Sequence, residues 1–389
     1  MSHPLFKSIY KASRKIRNGV YLMLQGIRII DFSQYLPGPH ATLRLVEMGA
    51  EVIKVESPHG DPARPATVQK GEGLVFLAQN RNKKSIVLNL KDADGRETAL
   101  NLIRDADIVI EGFRPGVVSR IGIGYEDVLK VKKDIIYCSI SGYGQTGEMS
   151  KMGGHDINYL SLSGVLSQFK DQNGCPILPS TTIADLVAGI ATSEAILGAL
   201  IKKMRTGEGS YIDLSITDAV LTLMTNHTVI ESVTGDENGV SKLNSKHICY
   251  HLYETKDGRY VSLGALEPKF WNNFCHALNK VDWVPAHFSL AEEGNPTFEE
   301  MKAVFASKTL TEWTEFSKEV DCCLTPVLET SELHLQPLFK ERFIIAEKDG
   351  VRFTATRFSP VDDIDNQKTS PELGQHTNEI LSNYKNKIQ

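Results

Sequence analysis

The sequence predicts an α/β fold: a Rossmann-like parallel-sheet large domain joined to a smaller α+β domain. Three observations carry this. The first part of the chain alternates short Val/Ile-rich runs with amphipathic segments, the pattern of βαβ units. Its 389 residues exceed what one small core usually serves, so two domains are expected. From about residue 225 the pattern changes to a hairpin followed by helices.

The elements read in order as follows. "GIRIIDF" is a buried strand, and "GPHATLRLVEMG" a helix with Pro39 suited to its first turn. "AEVIKVE" is a second strand. "EGLVFLAQN" reads as helix, "KSIVLNL" as strand, "DADGRETALNLIRDA" as helix and "DIVIEGF" as strand. "GYEDVLKVKKD" and "IIYCSISGYG" add a helix and a strand, and a helical run follows from Asp156 to Gln168. The longest helix opens at Asp185 and runs to about Met204, with Gly207 and Gly209 closing it; "YIDLSI" is then a strand. Right-handed crossovers assemble these units into a layered sheet. A polar, Gly-containing stretch, "TGDENGVSKLNSK", links to the hairpin "YHLYETKDGRYVSLGAL", turned at Asp257-Gly258. The domains expected are a basic extension at 1–23, a large domain at 24–224, a small domain at 225–330, and a return to the large domain at 331–389.

Composition narrows the function. A net charge of −5 argues against bulk nucleic-acid binding, so an anionic ligand needs a local basic cluster. No apolar run is read as reaching the roughly 20 residues of a membrane span. The six cysteines show no CxxC pair and no zinc spacing, so no metal site is expected. Scattered cysteines fit a reducing compartment, and the adjacent Cys322 and Cys323 read as buried thiols. The expected location is cytoplasmic. The first 23 residues carry five cations and no acid, so a mitochondrial transit peptide is the alternative to a basic surface helix. "KNKIQ" is not a peroxisomal address.

The first strand is followed by "SQYLPGPHA", without the GxGxxG of a dinucleotide site. Chemistry points elsewhere. His155 follows two glycines and precedes an apolar run; it is either a capping residue or a proton-transfer group facing a cleft. Asp156 beside it reads as a helix N-cap, because sequence neighbours on a helix do not face each other. Asp185, at a helix N-terminus, is either a cap or a carboxylate beside amides able to hold a developing oxyanion. Glu267, before Pro268, stands at another helix start. Arg81, Lys83, Lys84, Arg114 and Arg120, with Phe113, lie at βα junctions, where cations and an aromatic suit a nucleotide diphosphate; a solvated charged face is the alternative.

These residues lie in a longer pattern. "LQGIRIIDFSQYLPGPHATLRLVEMGAEVIKVE", "NRNKKSIVLNLK", "IEGFRPGVVSRIG", "ISGYGQTG", "GHDINYLSLSG", "RTGEGSYIDLSITDAV" and "LGQHTNEIL" together resemble the family III CoA-transferases, the CaiB/BaiF family, from about Leu24 onward. "GHDINY" and "GALEPKF" are similar to the α-methylacyl-CoA racemase branch. There the histidine is one catalytic base, here His155, supported by a glutamate, here Glu267. An aspartate some thirty residues on is the opposing base, here Asp185. In the transferase branch the aspartate at that place is the nucleophile of an acyl-enzyme. The continuation "ADLVAG" departs from the glycine-rich racemase pattern toward the transferases, which leaves the role of Asp185 open. The resemblance implies an interlocked homodimer, an acyl-CoA substrate whose CoA lies on the large domain near the basic cluster and Phe113, and no separate cofactor. Arg120 matches an arginine used there by the transferases.

Overall fold

The computed structural model describes residues 23–388, except 67, 70–71, 172, 241–242, 244–245 and 356–368. The N-terminal basic extension lies outside the described residues. The chain divides into two units, 1–223 with 342–389, and 224–341.

The first unit is built on six parallel strands. They are β1 (Arg28–Asp31), β2 (Glu51–Glu56), β3 (Lys84–Val87), β4 (Ile108–Glu111), β5 (Ile136–Ser141) and β6 (Ser210–Ser215), in the order β3-β2-β1-β4-β5-β6. Ile30 of β1 lies opposite Ile53 on one side and Val109 on the other. β1, β4 and β5 are almost wholly buried, as helices on both faces require, whereas the edge strand β6 alternates covered and exposed residues. The order reverses between β1 and β4, and such a switch point leaves a crevice beyond the carboxyl ends of the strands.

The helices of this unit are α1 (Pro37–Glu47), α2 (Leu74–Gln79), α3 (Ala93–Arg104), α4 (Val117–Ile121), α5 (Tyr125–Leu129), α6 (Asp156–Leu162), α7 (Ile183–Thr206) and α8 (Ile216–Leu221). Pro37 and Pro39 fall in the first turn of α1, where a missing N–H costs nothing. The helical run expected from Asp156 to Gln168 is broken: Gly164 takes φ +79°, and a 3₁₀ turn, Val165–Gln168, follows. The long helix starts two residues earlier than expected, with Thr182 as its N-cap, so Asp185 sits in the first turn.

By length and composition α7 is apolar enough to cross a membrane, contrary to the expectation that no such run exists. It is amphipathic in use: Ala188, Gly189, Thr192, Ser193 and Ile196 are buried, and it packs on α1 and beside β5 and β6. Small residues permit the close approach. A Cβ on Gly189 would lie 2.8 Å from the His40 ring and 2.9 Å from the Pro37 carbonyl oxygen. The backbone oxygen cannot swing aside, so Gly189→Ala is expected to cost about 1–3 kcal/mol through overpacking. A lowered urea midpoint with unchanged slope checks this.

The second unit carries α9 (Thr225–Thr234), then an antiparallel sheet of β7 (Tyr250–Glu254), β8 (Tyr260–Gly264) and β9 (Leu324–Pro326), with β8 central. Against it lie α10 (Pro268–Ala277), α11 (Pro296–Phe305) and α12 (Leu310–Glu319). All three tryptophans, Trp271, Trp283 and Trp313, are buried here beside Phe274 and Phe305. Each indole N–H has an acceptor: Val284 O, the Glu300 carboxylate and Phe305 O. Residues 331–341, expected in the return to the large domain, belong to this unit. The reason is local: Arg259 at the hairpin turn grips Glu332 at 3.0 and 2.7 Å. The return begins at Arg342 and includes the hairpin β10 (Ile345–Lys348) and β11 (Val351–Thr354), then α13 (Thr377–Ile388).

Among the described residues no disulfide joins the cysteines. Cys322 is buried as expected, but Cys323 is exposed, with φ +55°.

Candidate active site

The crevice at the switch point is walled by the loop after β1 and the loop after β4. The first is held from beneath by four buried charged residues. Asp31 accepts from the backbone and hydroxyl of Ser33 and from the Thr42 hydroxyl at 2.6 Å. Lys54 donates to Ser33 O at 2.7 Å and lies 2.8 Å from Asp61. Asp61 in turn accepts the N–H of Tyr35 at 3.2 Å and of Ala63 at 2.9 Å. Lys83 approaches Asp31 at 3.6 Å. Burial alone pushes the Asp31 carboxyl up, but Lys54, Lys83 and the two hydroxyls outweigh it and hold it below its usual range. The network fixes Tyr35 in the left-handed region, at φ +62°.

The second wall rests on Glu111, buried at the end of β4. Its carboxylate accepts the Phe113 N–H at 2.8 Å, and burial pushes its pKa up to about 7 against the pull of Ser139 and that N–H. Phe113 is half-buried against the core, and Arg114 is exposed. Arg114 reaches the Gly153-Gly154-His155 turn: a Cβ on Gly153 would lie 3.2 Å from its Nη2.

That turn is packed by two tyrosines. The Tyr159 hydroxyl donates to Gly154 O at 2.8 Å, and the rings of Tyr143 and Tyr159 meet edge to face at 5.4 Å. A Cβ on Gly154 would fall 2.8 Å from both tyrosines, and one on Gly142 2.6 Å from the Tyr159 ring. The glycines are therefore required by close approach. His155 is the N-cap of α6, in extended conformation, with its N–H bonded to Asn158 Oδ1 at 3.0 Å and its imidazole exposed.

Asp156 is not the cap of its own helix. It is the first residue of α6, and its carboxylate accepts the N–H of Asp185 at 3.1 Å. It thus caps α7 from outside, satisfying one of the four donors a helix N-terminus leaves open. This bond ties residue 185 to the neighbour of residue 155. Asp185 is half-buried; desolvation, then the nearby Asp156 charge, push its pKa up to about 7. Tyr159 is pushed up to about 12 by burial and by Asp185.

The amides expected to hold an oxyanion near Asp185 are largely engaged. Ile183 N–H goes to Thr181 O, Leu186 N–H to Thr182 O, and Asp185 N–H to Asp156. The first turn of α7, a 24-residue helix, carries the positive end of its dipole.

The basic cluster is not an open patch. Lys83 is fully buried and donates to Pro39 O at 2.9 Å and Asn80 Oδ1 at 2.8 Å; burial pushes its pKa down to about 7. The Arg81 side chain is 6% exposed and bonds Glu47, Ala78 O and Thr354 O. Lys84 reaches back to Glu51, the first residue of β2, and to Glu379. Adjacent residues of the chain have been sent to different surroundings by the strand start at Lys84. Arg120, in the last turn of α4, is exposed beside Gly116. The structure therefore brings together Arg114, the turn that ends at His155, Asp156 and the first turn of α7 with Asp185. Tyr143 and Tyr159 join them unforeseen. The only sequence trace of the tyrosines was their spacing from glycines in "SGYG" and "GGHDINY".

Glu267 lies in the second unit. It is the N-cap of α10, as expected from Pro268, with an exposed side chain; its carbonyl accepts from Phe270 and Trp271. Among the described residues no group of three or more His, Cys, Asp or Glu is arranged to hold a metal ion.

An exposed imidazole at the start of α6 and a carboxyl of raised pKa in the first turn of α7, linked through Asp156, equip this α/β protein for acid–base or nucleophilic chemistry. The chain belongs to CoA-transferase family III, whose family model it matches over residues 24–377. It is 32% identical over 377 residues to human (Homo sapiens) alpha-methylacyl-CoA racemase, covering 93% of this chain and 94% of that one. It is 31% identical over 377 residues to the Mus musculus succinyl-CoA:glutarate CoA-transferase, covering 92% and 85%. Among solved structures, a CaiB/BaiF family protein from Brucella suis shares the fold with a TM-score of 0.80 at 23% identity, over 92% of this chain and 98% of that one. A hypothetical protein from Mycobacterium tuberculosis gives 0.78 at 26% identity, over 92% and 99%.

Proposed function

We propose that this enzyme racemises 2-methyl-branched acyl-CoA thioesters by removing and returning the α-proton. The observation that supports this most is the Asp156–Asp185 bond, which ties the start of α6, where His155 is the N-cap, to the first turn of α7, where Asp185 stands. A thioester acidifies its α-carbon because the enolate oxygen can carry the charge. One group takes the proton from one face, and the other delivers a proton to the opposite face, so the enolate returns as the mirror-image thioester. Both groups must exist in two protonation states at working pH. An aspartate with a pKa raised to about 7 meets that need, where an ordinary one is almost fully ionised. Glu267 takes the supporting role that the racemase resemblance implies, and Phe113, Arg114 and Arg120 bind the CoA portion. The scheme draws on side chains and the α7 dipole, with CoA carried on the substrate. An interlocked homodimer and a cytoplasmic location complete the reading.

The relatives carry both reactions at nearly equal identity. The second reading, CoA transfer with Asp185 as nucleophile, draws on the "ADLVAG" continuation. A raised pKa counts against it, since less of the carboxyl is ionised to attack. His155→Ala separates the two. It is expected to slow α-proton exchange by about 10²–10⁴-fold. CoA transfer between carboxylic acids, if the protein performs it, should persist in the same variant. Equal exchange in variant and wild type would remove His155 from the mechanism.

A further inference from the structure

The first unit holds a cavity of about 570 Å³ lined by neither His155 nor Asp185. It lies between α1, α2 and the returning hairpin β10–β11. Its size falls within the range of small-molecule sites. Leu43 and Leu77, both buried, and Phe353 give it apolar walls.

Its polar lining is unbalanced. Among the described residues that line it, four are cations, Arg44, Arg81, Lys348 and Arg352, and one is an acid, Glu47. Among the described residues Arg44 bonds only through its Nε, to Ser193 Oγ at 3.2 Å, and Arg352 only through its Nε, to Glu347 at 2.9 Å. Toward the described residues, the Nη groups of both remain able to donate. Arg81 is more telling: its Nε is buried and has no hydrogen-bond partner among the described residues. A buried donor left unpaired is costly, and a ligand acceptor would remove that cost. His40, also in the lining, is held below the usual histidine pKa by burial, so it adds no negative charge and little positive charge.

We infer that this cavity binds an apolar monocarboxylate, with the tail against Leu43, Leu77 and Phe353 and the carboxylate among Arg44, Arg81 and Arg352. Planar guanidinium groups suit a carboxylate through paired N–H donors. The seat has a path to the active site. His40 packs on Gly189, four residues and so about one turn beyond Asp185 on α7. The inference is independent of the racemase reading, because no catalytic group takes part in it.

The test is calorimetric titration of the full-length protein with dodecanoate below its micelle concentration, with dodecanol as the neutral comparator. One saturable site per chain is expected, with dodecanol at least about tenfold weaker, the usual weight of a charge-assisted hydrogen bond. Combined Arg44→Gln and Arg352→Gln should weaken dodecanoate by about tenfold or more. Leu77→Trp, which fills the cavity, should abolish it. His155→Ala should leave it unchanged. Absence of a saturable site, equal affinity for dodecanol, or unaltered binding in the arginine variant would each overturn the inference. The arginine variant carries the test if Leu77→Trp fails to fold, since Arg352 is half exposed.

Discussion

Asp185→Asn is expected to lower α-proton exchange by about 10³-fold or more while leaving the fold intact. The amide is nearly isosteric, and the bond holding the site runs through the Asp185 backbone N–H to Asp156, which the substitution does not touch. Stability should move the other way. A carboxyl whose pKa is raised in the folded state contributes stability fully present below its unfolded value, near 4, and lost as pH rises through about 7. The wild type therefore holds an unfavourable ionised Asp185 at pH 8, and Asp185→Asn should melt higher there, with the difference shrinking toward pH 4. Greater stability with lost activity is the signature of a group placed for chemistry. The pH profile gives a second readout. In the direction where Asp185 takes the proton, the wild-type rate should rise through about pH 7; where it delivers the proton, the rate should fall there. Comparable exchange in Asp185→Asn would exclude this residue as an acid–base group.

Lys54→Met should produce the largest loss of stability, about 3–5 kcal/mol. Lys54 is fully buried, and its removal leaves Asp31 and Asp61 with Lys83 alone, an uncompensated charge in the core. Methionine fills most of the stem volume, so the loss reports charge and not a cavity. The sign with pH follows from Asp31, whose carboxyl is held below its usual range. Its stabilising contribution is present above the unfolded pKa and lost as pH falls through the folded one. The gap between wild type and variant in urea denaturation should therefore be wide at pH 7 and narrow in acid. A gap that stays constant with pH would mean that the four charges are not coupled. The same variant frees Ser33 O and the partner of the Tyr35 N–H, so the loop after β1 should gain hydrogen exchange before the rest of the sheet.

The strands were legible because their apolar runs are bounded by turn residues. Even "AEVIKVE" reads correctly, although Lys54 and Glu56 are buried in it. What the run could not disclose is the partner of each charge: Asp61 for Lys54, and Arg64 for Glu56, lie in a loop with no pattern of its own. The basic cluster failed for a related reason. "NRNKKS" shows three cations side by side, but the chain turns from α2 into β3 there, sending Arg81 and Lys83 inward and Lys84 toward the start of β2. The glycines before His155 mark a crowded backbone, and His155 and Glu267 each stand at a helix start as read, while Asp185 falls in a first turn. Asp156 was misassigned because local capping rules see only its own helix, whereas its partner amide lies 29 residues away. The two tyrosines were invisible for the same reason: what makes Gly142 and Gly154 necessary is a contact, not a composition.

The central claim is that one site exchanges the α-proton of an acyl-CoA. The most direct measurement places a single-enantiomer 2-methylacyl-CoA with the enzyme in D₂O, without an acyl acceptor, followed by proton NMR and chiral analysis. Deuterium is expected to enter the α-position together with inversion, and both should be lost in Asp185→Asn and His155→Ala. No deuterium uptake, with a new thioester forming once a free carboxylic acid is added, would contradict it and establish CoA transfer instead.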